Sequence, residues 1–152
     1  MSTDKLSRPG SHLLNAESTS GIVGYRLRRA QLSVFQRFLA VFDELDLRPA
    51  EYAMLLLIAD NPGRRQNEIA DALGIKHANF VGLVQGFDGR GLIERRPAAG
   101  DRRAKALYLT PEGSAFLARA HEVHDRLEAS MVAALGGESE RDILLGLLDR
   151  LS

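Results

Sequence analysis

The stretch Asn67-Glu-Ile-Ala-Asp-Ala-Leu-Gly-Ile-Lys-His-Ala-Asn-Phe-Val-Gly-Leu-Val limits the possible folds of this chain more than any other feature. Ile69, Ala70 and Leu73 recur at steps that bury one face of a short helix, and the small Ala70 lets a second helix cross it closely. Gly74 stands where a sharp corner asks for positive φ. Ile75 is expected to plug that corner, with Val81 and Val84 burying the inner face of the second helix. The first turn of that helix is then left exposed, as a helix entering a DNA major groove requires. Helix–glycine–helix is common in helical proteins, so the segment C-terminal to it is decisive. Leu92 to Arg96 reads as a strand, Pro97 to Asp101 as a turn and Ala104 to Leu109 as a returning strand. Basic residues stand at the base of this hairpin (Arg95, Arg96) and at its tip (Arg102, Arg103). The pattern is that of a mostly α fold with a small β-hairpin wing, a winged helix-turn-helix.

The flanking segments are helical in period. From Ile22 to Leu45, the residues Leu27, Val34, Phe38, Val41, Phe42 and Leu45 gather on one stripe. Pro49 opens a short buried helix that runs to Asp60, where Asn61-Pro62-Gly63 stops it. Helices are predicted over Asn67 to Leu73 and from Lys76 to about Gly89. Thr110-Pro111-Glu112 opens a long helix with a capping hydroxyl, a first-turn proline and an acid at the positive end. That helix carries Phe116, Val123, Leu127 and Met131 and stops at Gly136-Gly137. A final helix, Glu138 to Leu151, presents Ile143, Leu144, Leu147, Leu148 and Leu151. The helices at the two ends hold more apolar surface than a lobe of about 50 residues can cover, which points to a second copy of the chain. Residues 1–20, rich in Ser, Thr, Pro and Gly, read as a flexible or partner-dependent arm.

Bulk properties exclude several classes. The 152 residues suit a single domain. With no cysteine, disulfides, thiolate metal sites and cysteine-based oxidant sensing are excluded. The longest apolar run, Ala53 to Ala59, is far short of the roughly 20 residues that span a bilayer. No signal-peptide pattern opens the chain, so no membrane association and a cytoplasmic location are expected. Net charge is zero, yet residues 62–109 hold nine basic side chains against five acids, while residues 110–152 hold four against eight. Because screening confines attraction to about 10 Å, this local excess matters more than the total.

The order of elements, with Gly91-Leu92-Ile93-Glu94-Arg95, Asp101-Arg102-Arg103-Ala104-Lys105 and Leu107-Tyr108-Leu109-Thr110-Pro111-Glu112-Gly113, resembles the multiple-antibiotic-resistance regulator (MarR) family. The resemblance covers about Ile22 to Leu151. It implies one domain over 21–152, with a winged lobe at about 49–109 and dimerisation helices at about 21–46 and 110–152. It further implies a homodimer on a pseudo-palindromic duplex operator, mostly repressing, whose DNA affinity changes when a small molecule binds.

In the second helix of the motif, Lys76, His77 and Asn79 are the expected readers. Lys76 can reach phosphate or guanine, and Asn79 can pair bidentately with adenine. His77 contacts a base or phosphate or is a plain surface residue; Phe80 touches a thymine methyl or is packing, and packing is favoured. The resemblance places Arg103 in the minor groove, braced by Asp101, with Arg102 on phosphate. Arg95 and Lys105 complete the basic wing, and Arg64, Arg65 and Gln66 are positioned to hold the backbone. Gly82 departs from the family, where an arginine or threonine is common, and Gly86 stands one turn later. Specificity is therefore expected to rest on the first turn, the wing and DNA shape.

The resemblance also implies an effector pocket, for which Tyr25, Arg26, Arg29, Phe35, Phe38, Tyr52 and Met54 are candidates. Arginine among aromatics suits a planar organic anion or an acyl thioester, and the Gly24-Tyr25-Arg26 start resembles members tied to aromatic-acid breakdown and coenzyme A thioesters. His121 and His124 share a helical face with Glu122 and Asp125 nearby, but no metal site is expected there. No cofactor and no catalytic residue is expected: Gly86-Phe-Asp-Gly-Arg-Gly comes after a helix rather than a strand, which is wrong for a phosphate loop. The competing reading is a winged-helix module for protein contact without sequence-specific DNA binding.

Overall fold

The computed structural model describes residues 17–152, so residues 1–16 of the expected arm lie outside the described residues. By their internal contacts the described residues fall into two units, divided between Val34 and Phe35. In the first, α1 (Glu17–Ser20) is a single turn, and α2 (Val23–Phe42) begins. No described residue up to Val34 is buried; Val23 keeps 63% of its surface and Tyr25 40%.

The second unit takes up α2 at Phe35. A 3-10 turn (Asp43–Leu45) comes next, then α3 (Pro49–Asp60), α4 (Gln66–Ala72), α5 (His77–Gly89), β1 (Ile93–Ala98), β2 (Asp101–Leu109), α6 (Pro111–Leu135) and α7 (Glu138–Leu148). The helix boundaries match expectation within a residue or two, apart from α2, which gives way to the 3-10 turn three residues before the expected Leu45, and the last. There α7 stops at Leu148 and Asp149 to Leu151 only turn, leaving Leu151 64% exposed.

The core is built round α3, whose Tyr52, Met54, Leu55 and Ile58 are buried. Acids placed three residues in secure the starts of α3 and α4. Glu51 accepts the Arg48 N–H at 2.8 Å, and Glu68 accepts the Arg65 N–H at 2.8 Å. The corner between α4 and α5 forms as expected: Gly74 has φ 64°, and the Ile75 N–H reaches the Ala70 carbonyl at 3.0 Å. The inner face of α5 is different from the expected one. Phe80, Val84 and Phe87 fill it, whereas Val81 is 36% exposed. At about 100° per residue, the spacing of four and then three aligns those three side chains and carries Val81 out of the stripe.

The wing is longer than expected from sequence, and its turn is tighter. Ile93 pairs with Leu109 and the ladder continues to Ala98 opposite Asp101, so the connection shrinks to Ala99-Gly100. Pro97 does not end β1, because β1 is an edge strand with an irregular register at Pro97–Ala98. The other side of β2 is occupied. Gly63 donates to the Leu107 carbonyl at 2.9 Å, Leu107 donates to the Arg64 carbonyl at 3.0 Å, and Arg65 bridges Ala106.

The Leu-Thr-Pro sequence after the wing has a mechanical basis. The Thr110 hydroxyl accepts the Gly113 N–H at 2.9 Å, capping α6, and donates to the Gly91 carbonyl at 2.6 Å. Gly113 lies so close to the Leu92 carbonyl that a Cβ there would sit 1.9 Å from the oxygen. The wing base and the start of α6 are thereby joined.

Candidate nucleic-acid interface

The connector holding Arg64, Arg65 and Gln66 is hydrogen-bonded to β2, so the start of α4 and the wing form one piece. Between them lies a cleft of about 400 Å³ whose walls include Arg65, Gln66, Asn67, Asp101, Arg103 and Lys105. Arg64 is partly committed to Glu68, 3.3 Å away on the next turn. Lys76 stands at the N-cap position of α5 with no side-chain capping bond; it and Asn79 are exposed.

His77 is tied within the protein. Its Nε2 lies 2.7 Å from Asp71 Oδ1, linking the first residue of α5 to α4. Phe80 is fully buried, so it is a packing residue with no surface to offer a thymine methyl. Val81 and Gln85 are exposed instead. Val81 as a surface residue was not expected, although the spacing Phe80, Val84, Phe87 carried the signal.

The two ends of the wing differ in their pairing. At the base, Arg95 is held by Asp88 at 2.6 Å, which anchors β1 to the end of α5 and occupies the guanidinium expected to face DNA. Arg96 makes two hydrogen bonds of 2.8 Å to Glu94 and lies 4.3 Å over the Tyr108 ring. Those hydrogen bonds hold the Glu94 carboxyl below its ordinary pKa and raise that of Arg96. At the tip, Asp101 accepts the Arg103 backbone N–H at 3.0 Å, so the brace acts on the main chain rather than on the guanidinium. The side chains of Arg102, Arg103 and Lys105 are exposed and have no partner among the described residues. The arrangement thus offers a helix turn and a cationic loop tip, held in register by the Arg95–Asp88 and His77–Asp71 pairs.

The effector candidates fall into three settings. Tyr25, Arg26 and Arg29 share one groove of about 560 Å³ on the first unit, with Val23, Leu27 and Ala30 as its apolar lining. Phe35 is 43% exposed. Phe38 and Tyr52 lie in an aromatic cluster, with Phe38 stacked on Phe42 at 3.9 Å and Tyr52 5.5 Å from Phe42. Met54 is fully buried in the same core as Phe38 and Tyr52.

His121 and His124 enter the same cluster. Tyr52 Oη is 3.1 Å from His121 Nδ1, and the His124 ring lies 4.9 Å from that of Tyr52. Burial, and secondarily the Asp125 charge, raise the Tyr52 phenol pKa. The 69 positions separating Tyr52 from His121 leave no local signal for this pair. Among the described residues no group of three or more His, Cys, Asp or Glu could hold a metal, and no helix is long and apolar enough to cross a membrane.

Comparison with known proteins places these features in context. The MarR family pattern matches residues 45–104. A protein of Thauera aromatica, assigned as a transcriptional regulatory protein for the hcr operon, is 36% identical over 88% of this chain and 81% of its own. The transcriptional repressor CouR bound to a 23-mer DNA duplex is 41% identical over 91% of this chain and 98% of that one, with a TM-score of 0.86. CouR bound to p-coumaroyl-CoA is 39% identical over 92% and 96%, with a TM-score of 0.80.

Proposed function

The chain belongs to the MarR family and is a ligand-responsive, DNA-binding transcriptional regulator, and we propose that it is a homodimeric repressor released by an aromatic acyl-coenzyme A thioester. The observation that carries the effector class is the groove on α2, where Tyr25, Arg26 and Arg29 stand beside Val23, Leu27 and Ala30. A ring and an apolar floor suit an aromatic acyl group, and guanidinium pairs suit phosphates. The likeness to CouR, solved with p-coumaroyl-CoA, supports the same class.

On the DNA side, Lys76 and Asn79 read the major groove while Arg102 and Arg103 serve the wing. Arg64, Arg65, Gln66 and Lys105 hold the backbone, with His77, Arg95 and Asp101 as bracing residues. The winged lobe at 49–109 is carried by dimerisation helices at 21–46 and 110–152. The protein acts without a catalytic step, in the cytoplasm.

The test is fluorescence anisotropy on the chain's own upstream DNA against random duplex, across a salt series, with p-coumaroyl-CoA, other aromatic acyl thioesters and free aromatic acids added. Selective, salt-sensitive binding released by a thioester and not by its free acid supports the proposal. Release by the free acid alone overturns the effector class. Binding no tighter than to random duplex at every salt turns the reading toward a protein-contact module.

A further inference from the structure

Arg90 ends the recognition helix α5 and reaches three elements at once. Its backbone N–H closes the last turn on the Gly86 carbonyl at 3.2 Å. Its guanidinium carbon lies 4.9 Å over the Phe87 ring of α5 and 5.1 Å over the Phe116 ring of α6. Nη2 donates to the Leu45 carbonyl, 3.4 Å away in the 3-10 turn that ends α2.

Nothing in the DNA reading uses this residue, and no carboxylate pairs with it among the described residues. A surface arginine seeking charge alone would find Asp46 and Glu51, which line the same shallow cleft. Arg90 instead sets its guanidinium over two rings and turns an N–H toward a main-chain carbonyl. Lysine has no planar face with which to imitate this. The Phe116 ring is 5% exposed and Phe87 3%, so both platforms are fixed by the core.

We propose that Arg90 is a positioning residue that sets the angle of the recognition helix against α6 and the end of α2, and through that angle the spacing of half-sites the dimer accepts. The inference rests on the proposed dimeric DNA reading, but its mechanical part concerns one chain only. Elsewhere α5 is joined to the unit by the apolar side chains of Phe80, Val84 and Phe87 and by two ion pairs, His77–Asp71 to α4 and Arg95–Asp88 to β1, neither of which reaches α6 or the end of α2. Apolar packing is non-directional and tolerates small rotations. Hydrogen bonding and stacking at the helix end are directional and oppose them. Loss of Arg90 should leave the core and the Arg95–Asp88 tie to β1 in place while loosening the C-terminal end of α5 against α6 and the end of α2.

The absence of native cysteine permits a direct measurement. Spin labels at Gln85→Cys on α5 and Ala129→Cys on α6, diluted with unlabelled protein, report the distance within one chain by pulsed electron resonance. Arg90→Gln should broaden that distribution about twofold, and Arg90→Lys should broaden it less, with melting still cooperative. On a duplex selected from random sequence by the wild-type protein, adding or deleting one base pair between half-sites should weaken the wild type at least tenfold. The same change should weaken Arg90→Gln less than threefold. An unchanged distance distribution in both variants overturns the proposal, whatever the DNA result. A broadened distribution with wild-type spacing discrimination overturns the link to half-sites. Broadening in a protein whose wild type selects no duplex upholds the mechanical role and removes the DNA reading instead.

Discussion

In the winged lobe the large side chains leave solvent almost completely: Met54, Leu55, Phe80, Val84 and Leu107 are fully buried. At the ends of the chain the apolar residues do the opposite. Tyr25, Leu27 and Val34 on α2, and Ile143, Leu145 and Leu147 on α7, keep between 37% and 61% of their surface. Both regions are built on helices, so helix propensity alone does not separate them. The lobe satisfies its own hydrophobic pattern, whereas the end helices have a stripe that one chain leaves uncovered. Exposed faces of this extent mark an interface, and in a homo-oligomer the second copy supplies the cover. One chain thus encodes a self-sufficient reading head and a mount completed by its twin.

Truncation inside the lobe should break this contrast most severely. Phe80→Ala removes a fully buried ring from the core of the lobe. A loss of about 3–5 kcal/mol is expected, enough to unfold much of the lobe. Urea melts followed by circular dichroism would show it. A loss below about 1 kcal/mol would mean that α5 does not depend on that side chain for its seat.

Charges placed on α7 should have the complementary effect. Ile143→Asp with Leu147→Asp, one turn apart, puts two carboxylates on a face holding no buried residue. The helical signal should survive, while sedimentation shifts to monomer and affinity for a two-site operator falls by about 100-fold as the linked second half-site is lost. A dimer that persists with undiminished affinity would place the interface elsewhere.

The wing should give a smaller effect. Arg103→Ala is expected to weaken operator binding by about 1–3 kcal/mol and to flatten the salt dependence, with the dimer intact. Asp101→Ala should reproduce part of that loss, because Asp101 holds the Arg103 backbone N–H. An equal loss on random and selected duplexes from Arg103→Ala would limit the wing to phosphate contact.

The same contrast explains how much of the molecule is legible in its sequence. Features set by local chemistry are legible: the corner at Gly74, the cap at Thr110, the stop at Gly136, and the cationic tip at Arg102 and Arg103. Features set by what meets across space are not. Arg95 has the look of a DNA contact in sequence, and only the fold brings Asp88 to it; His77 and Asp71 are the same case. Met54 and Tyr52 lie two residues apart on α3 and both belong to the core, and apolar periodicity marks such residues as inward without saying what they line. Val81 is different, since its helical phase is present in the sequence and a preference for β-branched core residues overrides it. The pairing of β2 with Gly63 to Arg65 also escapes, because two hydrogen bonds and one bridge leave no strand pattern.

The smallest expected effect lies in the cluster within the second unit, where α3 meets α6 through Tyr52 and His121. Tyr52→Phe removes the hydroxyl and one hydrogen bond to His121 but keeps the ring on Phe42 and His124. A cost of about 1 kcal/mol is expected at neutral pH. The pH dependence has a definite sign. Burial raises the Tyr52 pKa, so the folded state favours the neutral phenol more than the unfolded state does. The resulting stabilisation is complete below the unfolded value near 10 and is lost as pH rises toward the folded value. The wild type should therefore lose its advantage over Tyr52→Phe in alkaline melts, and the Tyr52 phenolate absorbance should rise later than that of a free tyrosine. Parallel stability curves for the two proteins from about pH 8 to 11 would show that the phenol does not titrate with folding. The cluster would then be a plain aromatic contact, no different in kind from the rest of the lobe's core.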